Sequence, residues 1–215
     1  MLLEKKFDLK FYIFFIHYYT MKISIEGSIA SGKSTVLTRI QQSTRIPVFL
    51  EPIDSWTLLN NFYKNTSRWG FTFNIEVLLS MFKWKNNQYD SLYERSPISC
   101  RWVFTQMQYE QGDIIKEEID LFDKLVETFS WDQDCIIYIK TDPEVCYERM
   151  KNRNRTCEEK VPLEYLNNLN KKHNDMIEYI KEMKPNIKII TVDGNKDEDT
   201  IYKNILDILK VQLNI

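Results

Sequence analysis

Gly27-Ser28-Ile29-Ala30-Ser31-Gly32-Lys33-Ser34 spells G-x-x-x-x-G-K-S, the pattern of a phosphate-binding loop. Its flanks agree with it. Lys22-Ile23-Ser24-Ile25-Glu26 alternates as a short strand does, and Ser34-Thr35-Val36-Leu37-Thr38-Arg39-Ile40 reads as the opening of a helix. A strand, a glycine-rich turn and a helix N-terminus together make an anion site. The glycines let backbone N–H groups turn inward onto phosphate oxygens. Residues Gly27 to Thr35 are therefore expected to hold a nucleoside triphosphate, with Lys33 on its terminal phosphates and the Ser34 hydroxyl on Mg²⁺.

Outward from the loop, strand-like and helix-like segments alternate. Pro47-Val48-Phe49-Leu50, Ser91-Leu92-Tyr93, Cys135-Ile136-Ile137-Tyr138-Ile139 and Ile187-Lys188-Ile189-Ile190-Thr191-Val192 read as strands. Helices are expected over 56–64, 71–88, 98–111 and 113–129, after Pro143, after Pro162 and over 198–211. This alternation predicts a five-stranded parallel sheet flanked by helices. Ligands in such sheets bind beyond the carboxyl ends of the strands, where Glu51, Glu94-Arg95 and Asp193 fall.

The 215 residues suit one domain, and a hydrophobic content of 43% supports a core. A net charge of −2 offers no basic face for nucleic acid. Cys100, Cys135, Cys146 and Cys157 lack C-x-x-C spacing, and His17 and His173 are the only histidines. Reduced thiols in a cytoplasmic setting are expected rather than a zinc site. Residues 1–20 differ from the rest. The aromatic run Phe11 to Tyr19 is too short to span a bilayer, so no stable membrane insertion is expected. They read as an upstream extension of doubtful role, with residues 21–215 as the working domain.

Three further features carry chemistry. Glu51 stands at a strand end, where a carboxylate can take a proton from an attacking hydroxyl. Glu94-Arg95 puts an acid for the magnesium shell beside a guanidinium for phosphate or the attacking oxygen. Arg149 and Arg153, four apart, share a helix face, and Arg155 extends the row into a loop that can close over phosphates. Each has a plainer reading on its own residues: an exposed acid, a structural ion pair, and a solvated basic face partnered by Glu148, Glu158 and Glu159.

Taken together and in order, these motifs resemble the deoxynucleoside kinase family, which includes the deoxycytidine, deoxyguanosine, mitochondrial thymidine and insect multisubstrate kinases. The resemblance runs from Met21 to the C-terminus. It rests on Gly27 to Thr35, Glu51-Pro52 with Trp56, Tyr63 with Arg68-Trp69-Gly70-Phe71-Thr72-Phe73, and Glu94-Arg95-Ser96 with Ser99, Arg101 and Phe104. Asp142 to Arg149 and Val161 to Leu166 complete it. The resemblance implies a P-loop kinase fold with an arginine-rich lid, phosphorylating the 5′-hydroxyl of deoxynucleosides from ATP with Mg²⁺, as a homodimer joined through long helices. It implies Glu51 as general base with Arg95 beside it, Glu94 near Mg²⁺ with Ser34, and Arg149, Arg153 and Arg155 as lid arginines. Tyr63 and Glu158 would hold the sugar 3′-hydroxyl, and Phe104 would stack on the base. Ile29, Trp56, Leu59 and Phe73 would form pocket walls, and Asp197 falls where the family contacts adenine.

Base recognition is where the chain departs from the family pattern. The family carries a glutamine after the Phe73 position, and here the residue is Asn74, shorter by one bond of roughly 1.5 Å. Either the base sits deeper or a water bridges the gap. Met81 and Cys100 stand where deoxycytidine and deoxyguanosine members carry an arginine and an aspartate. With Val77 they suit a thymidine-accepting pocket, so thymidine or pyrimidines are expected to be favoured. A nucleoside monophosphate kinase of the thymidylate type is the alternative enzyme, and a non-catalytic nucleotide-binding regulatory protein the alternative of another class.

Overall fold

The computed structural model describes residues 20–155, 158–159 and 161–214. Except for Thr20, the expected extension of residues 1–20 lies outside the described residues, as does Cys157. Five strands form one parallel sheet in the order β2-β3-β1-β4-β5: β1 Lys22–Glu26, β2 Val48–Phe49, β3 Ser91–Glu94, β4 Cys135–Lys140 and β5 Lys188–Asp193. Register pairs Ile25 with Glu94 across β1 and β3, and Glu26 with Tyr138 across β1 and β4. The carboxyl ends of β1, β3 and β4 thus meet at one edge, and the phosphate loop leaves the central strand there.

Helices cover both faces. On one, α1 Lys33–Ser43 and, at the end of the chain, α8 Glu198–Leu213 bury Val36, Leu37, Ile40, Ile201, Ile205 and Leu209 against Ile23, Ile25, Ile137 and Ile139. On the other lie α4 (residues 97–110), α6 Pro143–Arg153 and α7 Leu163–Met183, packed on Ile136 and Tyr138. Helix α7 buries Leu166, Leu169, His173, Met176, Ile177 and Ile180, a stripe at helical spacing. Beyond the sheet edge, α2 Leu59–Lys64, α3 Thr66–Phe82 and α5 Lys116–Phe129 enclose a third cluster of Phe62, Phe73, Val77, Leu78, Met81, Cys100 and Phe122.

Two helices differ most from the sequence reading. Helix α3 starts at Thr66 rather than 71, because the Asn65 side chain accepts from the Arg68 N–H at 3.0 Å and caps it. Gly70 lies inside this helix, and a β-carbon there would collide with the Gln108 side chain. At the other end the chain tightens into turns through Trp84 N–H to Met81 O at 3.1 Å and Lys85 N–H to Phe82 O at 3.1 Å. Helix α4 is composite: Pro97–Ser99, a π-helical stretch Cys100–Thr105, then Gln106–Glu110. Nothing in the apolar spacing announces that π stretch.

Candidate active site

The phosphate loop is held by close backbone packing. Gly27 has φ 151° and a β-carbon there would meet Ile139 O at 2.7 Å; Gly32, φ 102°, caps α1 from the left-handed region. Lys33 Nζ donates to the carbonyls of Gly27 at 3.1 Å and Ser28 at 2.8 Å. Burial, then the nearby Arg95 guanidinium, lower its pKa to about 8. Ser34 Oγ donates to Glu94 Oε1 at 2.5 Å, and the second Glu94 oxygen accepts from the Glu51 N–H at 3.2 Å.

Arg95 organises the centre. It follows β3 with φ 65°, a conformation that costs a non-glycine residue about 1–2 kcal/mol and persists where the surroundings over-determine it. Its N–H donates to Ile25 O, Nε meets Glu51 Oε1 at 2.9 Å, and a terminal nitrogen donates to Gly27 O at 2.8 Å. The guanidinium carbon lies 4.7 Å from the Phe104 ring centroid. His173 Nδ1 bonds Leu169 O at 2.8 Å, which fixes its proton there and leaves Nε2 to accept from Arg95 at 3.3 Å. Burial, helped by the Arg95 charge, drops the His173 pKa to about 3, so the ring is a neutral acceptor. Burial raises the Glu51 carboxyl above its usual range, with Arg95 opposing and Glu94 reinforcing. Burial works against charge on Arg95, but Glu51, Glu26 and Glu94 together hold its pKa above the usual value.

Two cavities adjoin this pair. The outer cleft, about 490 Å³, is lined by Ile29, Ala30, Gly32 to Thr35, Glu94, Arg149, Arg153, Arg155, Glu198 and Ile201. The inner chamber, about 80 Å³, is lined by Trp56, Leu59, Phe62, Tyr63, Phe73, Asn74, Val77, Cys100, Phe104, Gln108 and Tyr165. Ile29, Glu51, Ile53, Arg95, Arg155 and Glu158 line both. Glu158 is buried and pairs with Arg153 and, at 3.3 Å, Arg155. Arg149 donates to Gly194 O at 2.8 Å and Lys196 O at 2.9 Å. Oxygens of Ser34 and Glu94 at the cleft suit Mg²⁺, which takes one or two protein ligands and fills its shell from water and phosphate.

Residues 23–212 match the family model described as deoxynucleoside kinase. The chain belongs to the deoxynucleoside kinase family. A fowlpox virus protein named as a probable deoxycytidine kinase is 31% identical over 207 residues, covering 87% of this chain and 88% of its own length. Human mitochondrial thymidine kinase 2 is 35% identical over 170 residues, 72% of this chain and 63% of that protein. Among solved structures, the deoxyadenosine kinase of M. mycoides with dCMP and a flexible dCDP superposes with a TM-score of 0.79 at 22% identity, over 89% of this chain and 99% of that one. The P-loop kinase fold and the family's reaction, phosphorylation of deoxynucleosides, agree with the sequence reading.

Within this kinase two expected residues lie apart from the cavities. Met81 is fully buried one turn below Val77, and its carbonyl accepts from Trp131 Nε1 at 3.2 Å; it packs under the chamber rather than lining it. Asp197 is exposed and caps α8, accepting from the Thr200 N–H at 2.9 Å and hydroxyl at 2.7 Å, while Glu198 and Ile201 line the cleft. Several residues near the site had no place in the sequence reading of it, His173, Glu26 and Gln108 among them. His173 sits in the apolar stripe of α7 as if it were core, Glu26 ends β1 like any strand residue, and Gln108 follows Phe104 by four.

Proposed function

We propose that the kinase transfers the γ-phosphoryl group of ATP to the 5′-hydroxyl of a deoxynucleoside, with thymidine or another pyrimidine favoured. The observation that carries this reading is the position of Glu51 and Arg95 at the junction of the two cavities. A nucleoside in the inner chamber presents its 5′-oxygen to the Glu51 carboxylate, and the triphosphate in the outer cleft brings phosphorus to the same point. Glu51 accepts the hydroxyl proton as the oxygen attacks; Arg95, held by Gly27 O and His173, orients that carboxylate. Lys33 turns from the loop carbonyls to the β- and γ-phosphates. Arg149, Arg153 and Arg155 neutralise charge growing on the transferred group. Ser34 and Glu94 would hold Mg²⁺, which when bound would supply positive charge to offset that of the phosphates. Tyr63 and Glu158 hold the 3′-hydroxyl, and Phe104 stacks on the base.

The narrow chamber, walled by uncharged Val77 and Cys100, favours a single-ring base. Residues 21–215 form the working domain: Met21 N–H bonds Asp90 at 2.7 Å, its carbonyl accepts from the Ser91 N–H, and its side chain packs on the core. A homodimer is proposed through the exposed apolar residues Leu79 of α3 and Leu121 and Phe129 of α5, testable by sedimentation. Among the described residues no helix is long and apolar enough to cross a membrane. The buried thiols Cys100, Cys135 and Cys146 fit the cytoplasm we propose as the setting, which recovery with membranes on fractionation would contradict. Turnover of the four deoxynucleosides and thymidine monophosphate with ATP and Mg²⁺ tests the reaction. Thymidine should lead; activity on the monophosphate alone would overturn the reading.

A further inference from the structure

The inner chamber holds two buried carboxamides. Asn74 on α3 and Gln108 on α4 are each 2% exposed, and both line the chamber beside Val77, Cys100 and Phe104. Asn74 Nδ2 and Gln108 Oε1 are both shut off from solvent without a hydrogen-bond partner, so the two groups do not satisfy each other. Buried polar groups in folded proteins are otherwise nearly always paired.

Two features put Gln108 there. The π-helical stretch Cys100–Thr105 takes more residues per turn than an α-helix. It offsets the drift that a four-residue spacing acquires on a 3.6-residue repeat, and Cys100, Phe104 and Gln108 all reach one chamber. Gly70 does the rest. A β-carbon there would collide with Gln108 Oε1, so the absent side chain is the space that the carboxamide fills. Gly70 precedes Asn74 by four residues and lies on the same face of α3. Gln108 Oε1 therefore sits beside α3 about four residues, roughly 6 Å of helix rise, from Asn74 along that face.

We infer that Gln108 is a second base-reading residue, and that Asn74 and Gln108 together bind the hydrogen-bonding edge of the deoxynucleoside base. Each carboxamide offers a donor and an acceptor, and its orientation follows the partner it meets. An edge that alternates donors and acceptors can satisfy both groups where one reaching side chain would satisfy only its own. Gln108 thereby makes up for the short reach of Asn74. The inference rests on the proposed nucleoside chemistry of the chamber but not on Glu51 acting as base, because nucleoside binding is read without ATP.

Gln108→Leu removes both polar atoms at similar volume, and it also removes an unpartnered buried acceptor, so folding should not suffer. Calorimetric titration of wild type and variant with thymidine, deoxycytidine, deoxyadenosine and deoxyguanosine tests the idea, with the melting temperature of each protein alongside. The tightest-bound nucleoside should weaken roughly two- to tenfold, the usual range for one lost hydrogen bond, and the spread of Kd across the four bases should narrow. A second ligand pair separates pairing from packing: thymidine and its difluorotoluene isostere, which has the shape of thymidine without its hydrogen bonds. The variant should reduce the preference for thymidine over the isostere. Unchanged affinities, or equal weakening of all four nucleosides and the isostere, would show that Gln108 only packs between α3 and α4. If wild type binds no deoxynucleoside, the nucleoside reading of the chamber fails and this inference with it.

Discussion

Glu26 gives a prediction whose size follows from its surroundings. It ends β1 immediately before the phosphate loop and is fully buried; Ser96 Oγ donates to Oε1 at 2.6 Å, and Oε2 has no partner. Burial, opposed by the Ser96 hydrogen bond and the Arg95 charge, raises its pKa from 4.5 to about 7. Between those values the folded protein keeps a proton that the unfolded chain has lost. The contribution to stability is complete below about pH 4.5 and is lost as pH rises through about 7. A gap of about 2.5 units, at about 1.36 kcal/mol each, amounts to roughly 3 kcal/mol. His173 acts oppositely. Its pKa falls from 6.5 to about 3, so its contribution grows as pH rises between those values and masks part of the Glu26 effect in wild type. The variant Glu26→Gln keeps the shape and an acceptor for Ser96 but cannot ionise. Denaturant unfolding of both proteins at pH 5, 6, 7 and 8 isolates the carboxyl. The two should be nearly equal at pH 5, and the variant should be more stable by roughly 2–3 kcal/mol at pH 8. A difference that does not change with pH, or a variant less stable at pH 8, would mean that Glu26 is ionised and paired with Arg95, refuting the reasoning.

Two further outcomes follow from the site. A 3′-deoxy analogue leaves Tyr63 and Glu158 without their proposed ligand, so its kcat/KM should fall roughly ten- to hundredfold relative to the parent nucleoside; equal efficiencies would remove the pair from that role. A chain beginning at Met21 should melt and turn over as the full chain does, and a markedly lower melting temperature would show that the preceding residues pack on the domain.

How much of this was legible in the sequence depended on whether a residue's role left a local signal. The phosphate loop did, because its spacing, strand and helix are contiguous, and so did the strand-end positions of Glu51 and Glu94-Arg95. The ion pair between Glu51 and Arg95 joins two loops 44 residues apart in the chain; no local pattern carries it, only the family resemblance implied it, and β2, β3 and β1 lying side by side bring it together. Met81 has the helical spacing of a pocket residue after Val77, but the chamber ends one turn above it. The reason for Gly70 is a contact with Gln108, thirty-eight residues on, which no local pattern announces. The π stretch in α4 and the neutral His173 that holds Arg95 are tertiary properties: a histidine within an apolar stripe gives no sign of the guanidinium that it will meet.

In the proposed mechanism phosphoryl transfer turns on the Glu51 carboxylate between the two cavities. Glu51→Gln keeps an oxygen acceptor for Arg95 Nε and changes little else, so its effect should fall on chemistry rather than binding. Steady-state turnover with ATP and Mg²⁺, set beside calorimetric nucleoside binding by the same proteins, is the direct measurement. In Glu51→Gln, kcat should fall by at least about 10² with nucleoside Kd within a fewfold of wild type. Near-normal turnover in the variant would contradict the mechanism.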